Sequence, residues 1–211
     1  MLRHLTQKLI RAMALKVSER VAKNELFEQA GERESSSPLR SKVKSQGNHS
    51  ANNADDQQKE ESVDDLFFFD SARHLKSTIC AQNRLTIVHQ WATWCEGCVS
   101  ELAVVNDLAL MLEEQVGFVA LSWDLFQHGD RDRAMNDLQE AYDQNQLSFR
   151  TAIVEDEPEV FFEQFDISFQ QIPQTWICSA EGAVLFRCEE ELTIPKIEEL
   201  LAALESLNQA N

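Results

Sequence analysis

From Leu66 onward, short apolar runs alternate with stretches whose apolar residues recur every three or four positions, a pattern that predicts strands and helices in turn. Leu66-Phe67-Phe68-Phe69 has the length of a strand. It ends at Asp70-Ser71, either of which suits the cap of a helix with Ala72, Leu75 and Ile79 on its inner face. Leu85 to Trp91 reads as the next strand. Cys95 to Gln115 reads as a largely buried helix, because its polar positions Ser100, Asp107 and Glu114, with Asn106 and Glu113 beside them, make one narrow wet stripe. Gly117 to Trp123 is a continuous apolar run of the kind found in a sheet covered on both faces.

Asp130 to Gln146 places Ala134, Leu138, Ala141 and Tyr142 on one face, as a surface helix does. Phe149 to Val154 reads as a short strand, and Pro158, in a first turn, opens a helix through Phe161 and Phe165. Thr175 to Cys178 and Ala183 to Cys188 flank a turn at Ala180-Glu181-Gly182 and predict a hairpin. Thr193 is placed to cap a last helix with Ile197, Leu200, Leu201 and Leu204 inward. Strands alternating with helices and finishing on a hairpin plus helix predict a three-layer α/β domain over residues 65–211, a mixed central sheet flanked by helices.

The first part of the chain has a different pattern. Leu2, Leu5, Leu9, Met13 and Val17 recur three or four apart among Arg3, Lys8, Arg11, Lys16, Arg20 and Lys23, predicting a basic amphipathic helix within residues 1–30. The cations interrupt any h-region of a secretory signal, and no run reaches transmembrane length. Residues 1–27 therefore suit a solvated or self-docked helix, an organelle transit peptide or a membrane- or partner-surface helix. The default expectation is a cytoplasmic protein, with organelle targeting through this helix as the alternative. Residues 31–64 are almost without apolar side chains and read as a disordered linker, unable to bury enough surface to offset the entropy of ordering.

Charge divides the chain in the same place. Residues 1–50 carry 10 Lys+Arg against 5 Asp+Glu, and the remaining 161 carry 9 against 31. So acidic a body has little with which to neutralise phosphates, which argues against a nucleic-acid partner. The 5 cysteines are an odd number with one functional spacing, so a small secreted fold stapled by several disulfides is excluded.

That spacing is Cys95-Glu96-Gly97-Cys98, at the start of a predicted helix. Two cysteines so placed can close a small disulfide ring. The first stands where unpaired backbone N–H groups and the helix dipole favour a thiolate, the species that attacks disulfides. A zinc site would need two more ligands. Cys178 and Cys188 lie in predicted strands and, like Cys80, read as small buried apolar residues, so no metal is expected.

Val88-His89-Gln90-Trp91-Ala92-Thr93-Trp94-Cys95-Glu96-Gly97-Cys98, with Glu101 and Leu102 after it, resembles the active-site strand, turn and helix of the thioredoxin superfamily. It is most similar to the TlpA-like thiol-disulfide oxidoreductase branch. The resemblance spans about Phe67 to Leu207. Its second support is Gln171-Ile172-Pro173-Gln174-Thr175, about 75 residues after Cys98, where the family places a cis-proline facing the cysteines. The resemblance implies a thioredoxin-like enzyme with protein thiol or disulfide substrates and a redox-recycling partner, and with no cofactor beyond the Cys95–Cys98 disulfide. Cys95 would be the nucleophile and Cys98 the resolving cysteine. Trp94, Ile172 and Pro173 would border the substrate.

His89 stands where classical thioredoxins carry a buried proton-transferring aspartate, and Glu101 matches a glutamate that the TlpA-like branch often keeps; both are candidates for proton transfer. The plainer alternatives are a satisfied core histidine and a first-turn carboxylate answering the helix dipole. The sequence departs from the family in Gly97, where proline is common, and in Ser168-Phe169-Gln170-Gln171, a longer approach to Pro173 without the usual glycine. Two other readings of the whole are an interaction or adaptor module with incidental redox activity and a thiol peroxidase. The second lacks the Thr-x-x-Cys setting with its arginine around Cys95.

Overall fold

The computed structural model describes residues 66–168 and 171–210. The expectations for residues 1–30 and 31–64, and residues 169 and 170 in the approach to Pro173, lie outside the described residues.

Among the described residues six strands form one sheet: β1 (Phe67–Asp70), β2 (Thr86–Trp91), β3 (Gly117–Ser122), β4 (Thr151–Val154), β5 (Gln174–Cys178) and β6 (Val184–Cys188). The same residues hold six helices: α1 (Ala72–Ala81), α2 (Glu96–Leu112), α3 (Asp124–His128), α4 (Arg131–Asn145), α5 (Pro158–Gln164) and, after the last strand, α6 (Ile194–Ala210). The strand order is β1-β4-β3-β2-β5-β6. The first four strands in that order run parallel, β5 pairs antiparallel with β2, and β6 pairs antiparallel with β5 at the edge. Parallel neighbours need crossover helices and antiparallel ones only a turn, so the periodicity of the connections dictates this mixed order. The outcome is the mixed α/β sheet expected, with helices on both faces.

Alternation along the strands explains the three layers. Ile87, Trp91, Ala120, Ile153 and Ile177 point into a core shared with Leu102 and Val105 of α2, Leu138 of α4 and Leu200 of α6. Val88, Leu121, Ala152, Val154 and Trp176 point into a second core with Leu75 and Ile79 of α1 and Phe161 and Phe162 of α5. The same alternation carries His89 and Thr175 to the α2 side, since they lie two residues from Ile87, Trp91 and Ile177. On the α1 side Trp123 stacks on Phe162 with ring centres 5.8 Å apart and meets Phe161 edge-on at 5.1 Å. Such pairs are worth about 0.5–1.5 kcal/mol each beyond the area they bury.

Local chemistry sets the element ends. Ser71 caps α1, its side chain accepting from the His74 N–H, while Asp70 Oδ1 accepts from Ser71 N–H at 2.8 Å. Asp130 caps α4 by accepting from Arg133 N–H, and Pro158 stands in the first turn of α5. Gly182 takes φ +78° in the β5–β6 turn, a conformation side-chain-bearing residues rarely adopt.

Three details differ from expectation. Asn106 is buried rather than part of a wet stripe, because its Oδ1 accepts from the N–H and hydroxyl of Ser148 and ties α2 to the segment before β4. Cys80 is half-exposed, on the outer turn of α1 beside Gly182, whereas Cys178 and Cys188 are buried as expected. Helix α3 is five residues long with only Asp124 buried, too short to leave a periodic signal.

Candidate active site

β2 ends at Trp91 and the chain turns through Ala92 to Trp94 before α2 begins, so the cysteines stand at the C-terminal edge of the parallel strands, a common place for sites in such sheets. Cys95 is the N-cap of α2 with extended backbone (φ −95°, ψ 103°), and its Sγ accepts from Cys98 N–H at 3.2 Å. A disulfide joins Cys95 to Cys98. Cys95 is half-exposed and Cys98 wholly enclosed by Leu102, Val105 and their neighbours, so an incoming molecule meets Cys95 first.

The turn before Cys95 is held by a buried carboxylate. Asp124 accepts from Thr93 N–H at 3.1 Å, from the Thr93 hydroxyl at 2.5 Å and from the Ser122 hydroxyl at 2.6 Å. Burial pushes the Asp124 carboxyl above the usual carboxylate range, and these donors pull it part of the way back. Trp123 N–H also donates to Trp91 O at 3.0 Å, fastening the end of β3 to the end of β2. Sequence reasoning missed Asp124, Thr93 and Ser122. The available signal was a polar residue directly after the apolar run ending at Trp123, in position to cap or hold a neighbouring loop.

Opposite the cysteines, the Ile172–Pro173 peptide bond is cis, and Ile172 O lies 3.8 Å from Cys95 Sγ. Gln174 fixes this loop by donating to Gln171 O at 2.7 Å and accepting from the Trp176 indole N–H at 2.9 Å. Pro173 is buried and Ile172 half-buried. Trp94, 42 % exposed, and Phe126, 53 % exposed, rise on either side of a groove of about 580 Å³ that reaches Cys95 and is completed by Trp123, Pro158, Gln171 and Ile172. The expected Trp94, Ile172 and Cys95 are therefore together, and Phe126 of α3 is a groove residue that the sequence did not mark.

Behind Cys98, on the α2 side of the sheet, lie His89 and Glu101, both buried. β2 and β5 pair His89 with Thr175, and the His89 Nδ1 to Thr175 Oγ1 distance is 3.0 Å. His89 Nε2 faces Glu101 Oε1 at 3.6 Å, and neither atom has a hydrogen-bond partner. Glu101 Oε2 accepts from Leu192 N–H. Burial drives both groups toward their neutral forms. It lowers the His89 imidazole to about 3 and raises the Glu101 carboxyl to about 8, where the Leu192 N–H opposes the rise and the nearby Glu191 carboxylate adds to it. The structure thus brings both proton-transfer candidates together and adds Thr175 as the partner of His89.

Among the described residues no group of three or more His, Cys, Asp or Glu side chains could hold a metal ion. Nor is any described helix long and apolar enough to cross a membrane.

No family model matches the sequence, and no curated protein matches it. Among solved structures the chain is similar to StoA from Bacillus subtilis, at 18 % identity and a TM-score of 0.44, over 56 % of this chain and 82 % of that one. It is similar to a secreted Mycobacterium tuberculosis disulfide oxidoreductase homologous to Escherichia coli DsbE, at 17 % identity and a TM-score of 0.42, over 59 % and 83 % of the two chains. A thioredoxin-family thiol:disulfide interchange protein from Chlorobium tepidum is similar at 16 % identity and a TM-score of 0.46, over 61 % and 84 %.

Proposed function

We propose that the protein is a thiol-disulfide oxidoreductase that exchanges electrons with protein substrates through Cys95 and Cys98. The observation that carries this reading is the asymmetry of the bonded pair. One sulfur is half-exposed at a helix N-terminus in the floor of a groove; its partner is enclosed three residues later. Helix N–H groups and dipole stabilise a Cys95 thiolate, while the Glu96 carboxylate beside it works against that stabilisation.

In the reducing direction, the Cys95 thiolate attacks one sulfur of a substrate disulfide. A Cys95–substrate disulfide forms and one substrate thiolate leaves, to be protonated from solvent. Cys98 then loses its proton, and its thiolate attacks Cys95 Sγ, forming the Cys95–Cys98 disulfide and releasing the second substrate thiolate. The substrate disulfide gains two electrons and the dithiol loses two, so no further cofactor is required, and a separate dithiol partner returns the enzyme to its reduced form. The proton of the enclosed Cys98 needs an internal acceptor. Glu101 is one helical turn further on and its carboxyl is raised to about 8, so its ionised fraction grows over the range in which a thiol loses its proton; this supports Glu101 as the acceptor, with neutral His89 presenting its unpartnered Nε2 beside it.

The test is a Cys98→Ser variant exposed to a native extract. Disulfide-linked partners accumulating on Cys95, together with insulin reduction by the wild type and its loss in Cys95→Ser, are the expected results. An empty trap with an inactive wild type would favour an interaction module, and peroxide consumption with a sulfenate on Cys95 would favour a peroxidase. We place the enzyme in the cytoplasm by default; localising a fusion with and without residues 1–27 tests that assignment against organelle targeting.

A further inference from the structure

The groove at Cys95 shares a wall with a second cavity of about 520 Å³. Phe126 lines both, and on the facing side Pro158 lines the first while its predecessor Glu157 lines the second. The two cavities differ in chemistry. The first is apolar, bounded by Trp94, Trp123, Phe126, Pro158 and Ile172. The second holds Glu155, Asp156 and Glu157 with one cation, Arg131, which is paired to Glu155. Asp156 Oδ2 accepts from Ala72 N–H at the start of α1, and neither Asp156 nor Glu157 has a cationic partner among the described residues.

We propose that these two cavities form one recognition surface for an extended segment of a partner protein. In that segment the reacting cysteine has a bulky apolar neighbour, with Lys or Arg beyond it. The inference rests on the exchange reading of Cys95 and Cys98 and adds the substrate class. With a substrate sulfur at Cys95, the next side chain along the groove meets Trp94 and Phe126. Among the described residues these are the two largest apolar side chains left exposed, and an apolar partner would withdraw them from water. A chain continuing past Phe126 arrives at the carboxylates of Asp156 and Glu157, which a basic side chain complements and an acidic one does not. The charge of the body, 9 Lys+Arg against 31 Asp+Glu beyond residue 50, favours the approach of basic segments over acidic ones.

The experiment uses the reduced full-length protein and three disulfide-linked peptide homodimers carrying Lys-Leu-Cys-Leu-Lys, Lys-Ser-Cys-Ser-Lys or Glu-Leu-Cys-Leu-Glu. In each reaction one peptide disulfide becomes two peptide thiols while Cys95 and Cys98 become a disulfide. Every rate is divided by that of dithiothreitol on the same peptide, which removes differences in intrinsic sulfur reactivity. The first peptide is expected to react about 10-fold faster than the serine peptide, the scale of discrimination an apolar pocket achieves. It should exceed the glutamate peptide by about 3-fold or more, a ratio that shrinks as salt rises while the leucine preference remains.

Phe126→Ser should bring the leucine-to-serine ratio close to 1, and Glu157→Lys should do the same for the lysine-to-glutamate ratio. An unfolded chain keeps its thiols and would react without preference, so both ratios are read under conditions where circular dichroism shows the variant folded as the wild type is. Equal rates for all three peptides, or preferences that survive both substitutions, would overturn the recognition surface and leave the exchange reading standing. Failure of every peptide to react would overturn the exchange reading itself.

Discussion

His89 Nε2 and Glu101 Oε1 face each other across 3.6 Å inside the protein, with no other polar partner for either atom. Burial holds the imidazole near 3 and the carboxyl near 8, from ordinary values of 6.5 and 4.5, and the two shifts act on stability in opposite senses. Between pH 4.5 and 8 the folded protein retains a proton on Glu101 that the unfolded chain has released, so this group makes stability fall as pH rises. Between pH 6.5 and 3 the unfolded chain binds a proton on His89 that the folded protein refuses, so stability falls as pH drops. From 4.5 to 6.5 the slopes cancel. For these two groups alone stability is level across that interval and declines on both sides, each limb contributing at most about 1.4 kcal/mol per pH unit; the raised Asp124 carboxyl adds its own decline above 3.8, so the urea midpoint is expected to be level there in Asp124→Asn. Glu101→Gln should remove the decline between pH 6.5 and 8; an unaltered limb in that variant would mean that Glu101 is ionised in the folded protein. In exchange assays, His89→Ala should alter the pH profile of turnover, and an unchanged profile would remove His89 from proton transfer.

Asp124 gathers three donors, the Thr93 N–H and hydroxyl and the Ser122 hydroxyl, in a place water does not reach. Asp124→Ala strands them and frees the turn that aims Cys95 along the groove. A loss of about 2–4 kcal/mol in stability by urea unfolding is expected. Turnover with a disulfide substrate should fall roughly 10-fold under conditions where the variant is still folded, since misplacement of a nucleophile is expensive. Asp124→Asn keeps one accepting oxygen but turns an amide N–H₂ toward donors, and should fall between the two. A fully stable, fully active alanine variant would show that Trp91, Trp94 and the disulfide hold the turn without it.

Most of this architecture was legible because burial leaves a periodic trace. β2, β3 and β5 are found within a residue or two of their apolar runs, since strands enclosed on both faces read as continuous hydrophobic stretches, while the half-buried edge strand β6 is found from the turn at Gly182 that precedes it. The cysteines were legible from their spacing, and Pro173 and Glu101 through the resemblance to the thioredoxin superfamily. Asp124, Thr175 and Phe126 were not. A single buried carboxylate has no period, a threonine in a strand is unremarkable until its register against His89 is known, and α3 is too short to show a face. Asn106 misled for a related reason: a polar residue satisfied by Ser148 looks, in one dimension, the same as a wet one.

The cysteines should separate by reactivity. With the protein reduced and folded, iodoacetamide at about pH 7.5 is expected to label Cys95 well before Cys178 or Cys188. Cys95 is half-exposed at a helix start, whereas burial pushes the Cys178 thiol up to about 12 and the enclosed Cys188 thiol upward as well. For Cys178 alone the shift lowers the thiolate fraction by about a thousandfold relative to an ordinary thiol, before access is considered. Peptide mapping by mass spectrometry after short exposures checks the order, and equal labelling of Cys178 and Cys95 in folded protein would contradict the assigned nucleophile.

Gly97 bears on the proton pair through Glu191. A Cβ built on Gly97 would stand 2.5 Å from Glu191 Oε1 and 3.3 Å from Glu191 Cδ, so the carboxylate occupies the space a side chain at 97 would take. Glu191 also raises Glu101, so displacing it should lower the Glu101 carboxyl. The intruding atoms are the end of an exposed, flexible side chain, which can swing aside. Gly97→Ala should therefore be as stable as the wild type, or better by up to about 1 kcal/mol from helix propensity. In that variant and in Glu191→Gln alike, the alkaline decline in stability due to Glu101 should end at a lower pH. Because both changes remove the same negative charge from the same place, the double variant should show no further movement. Additive shifts in a urea-denaturation series across pH 6.5 to 8.5 would mean that Glu191 acts on Glu101 from elsewhere and that Gly97 has another role in the turn.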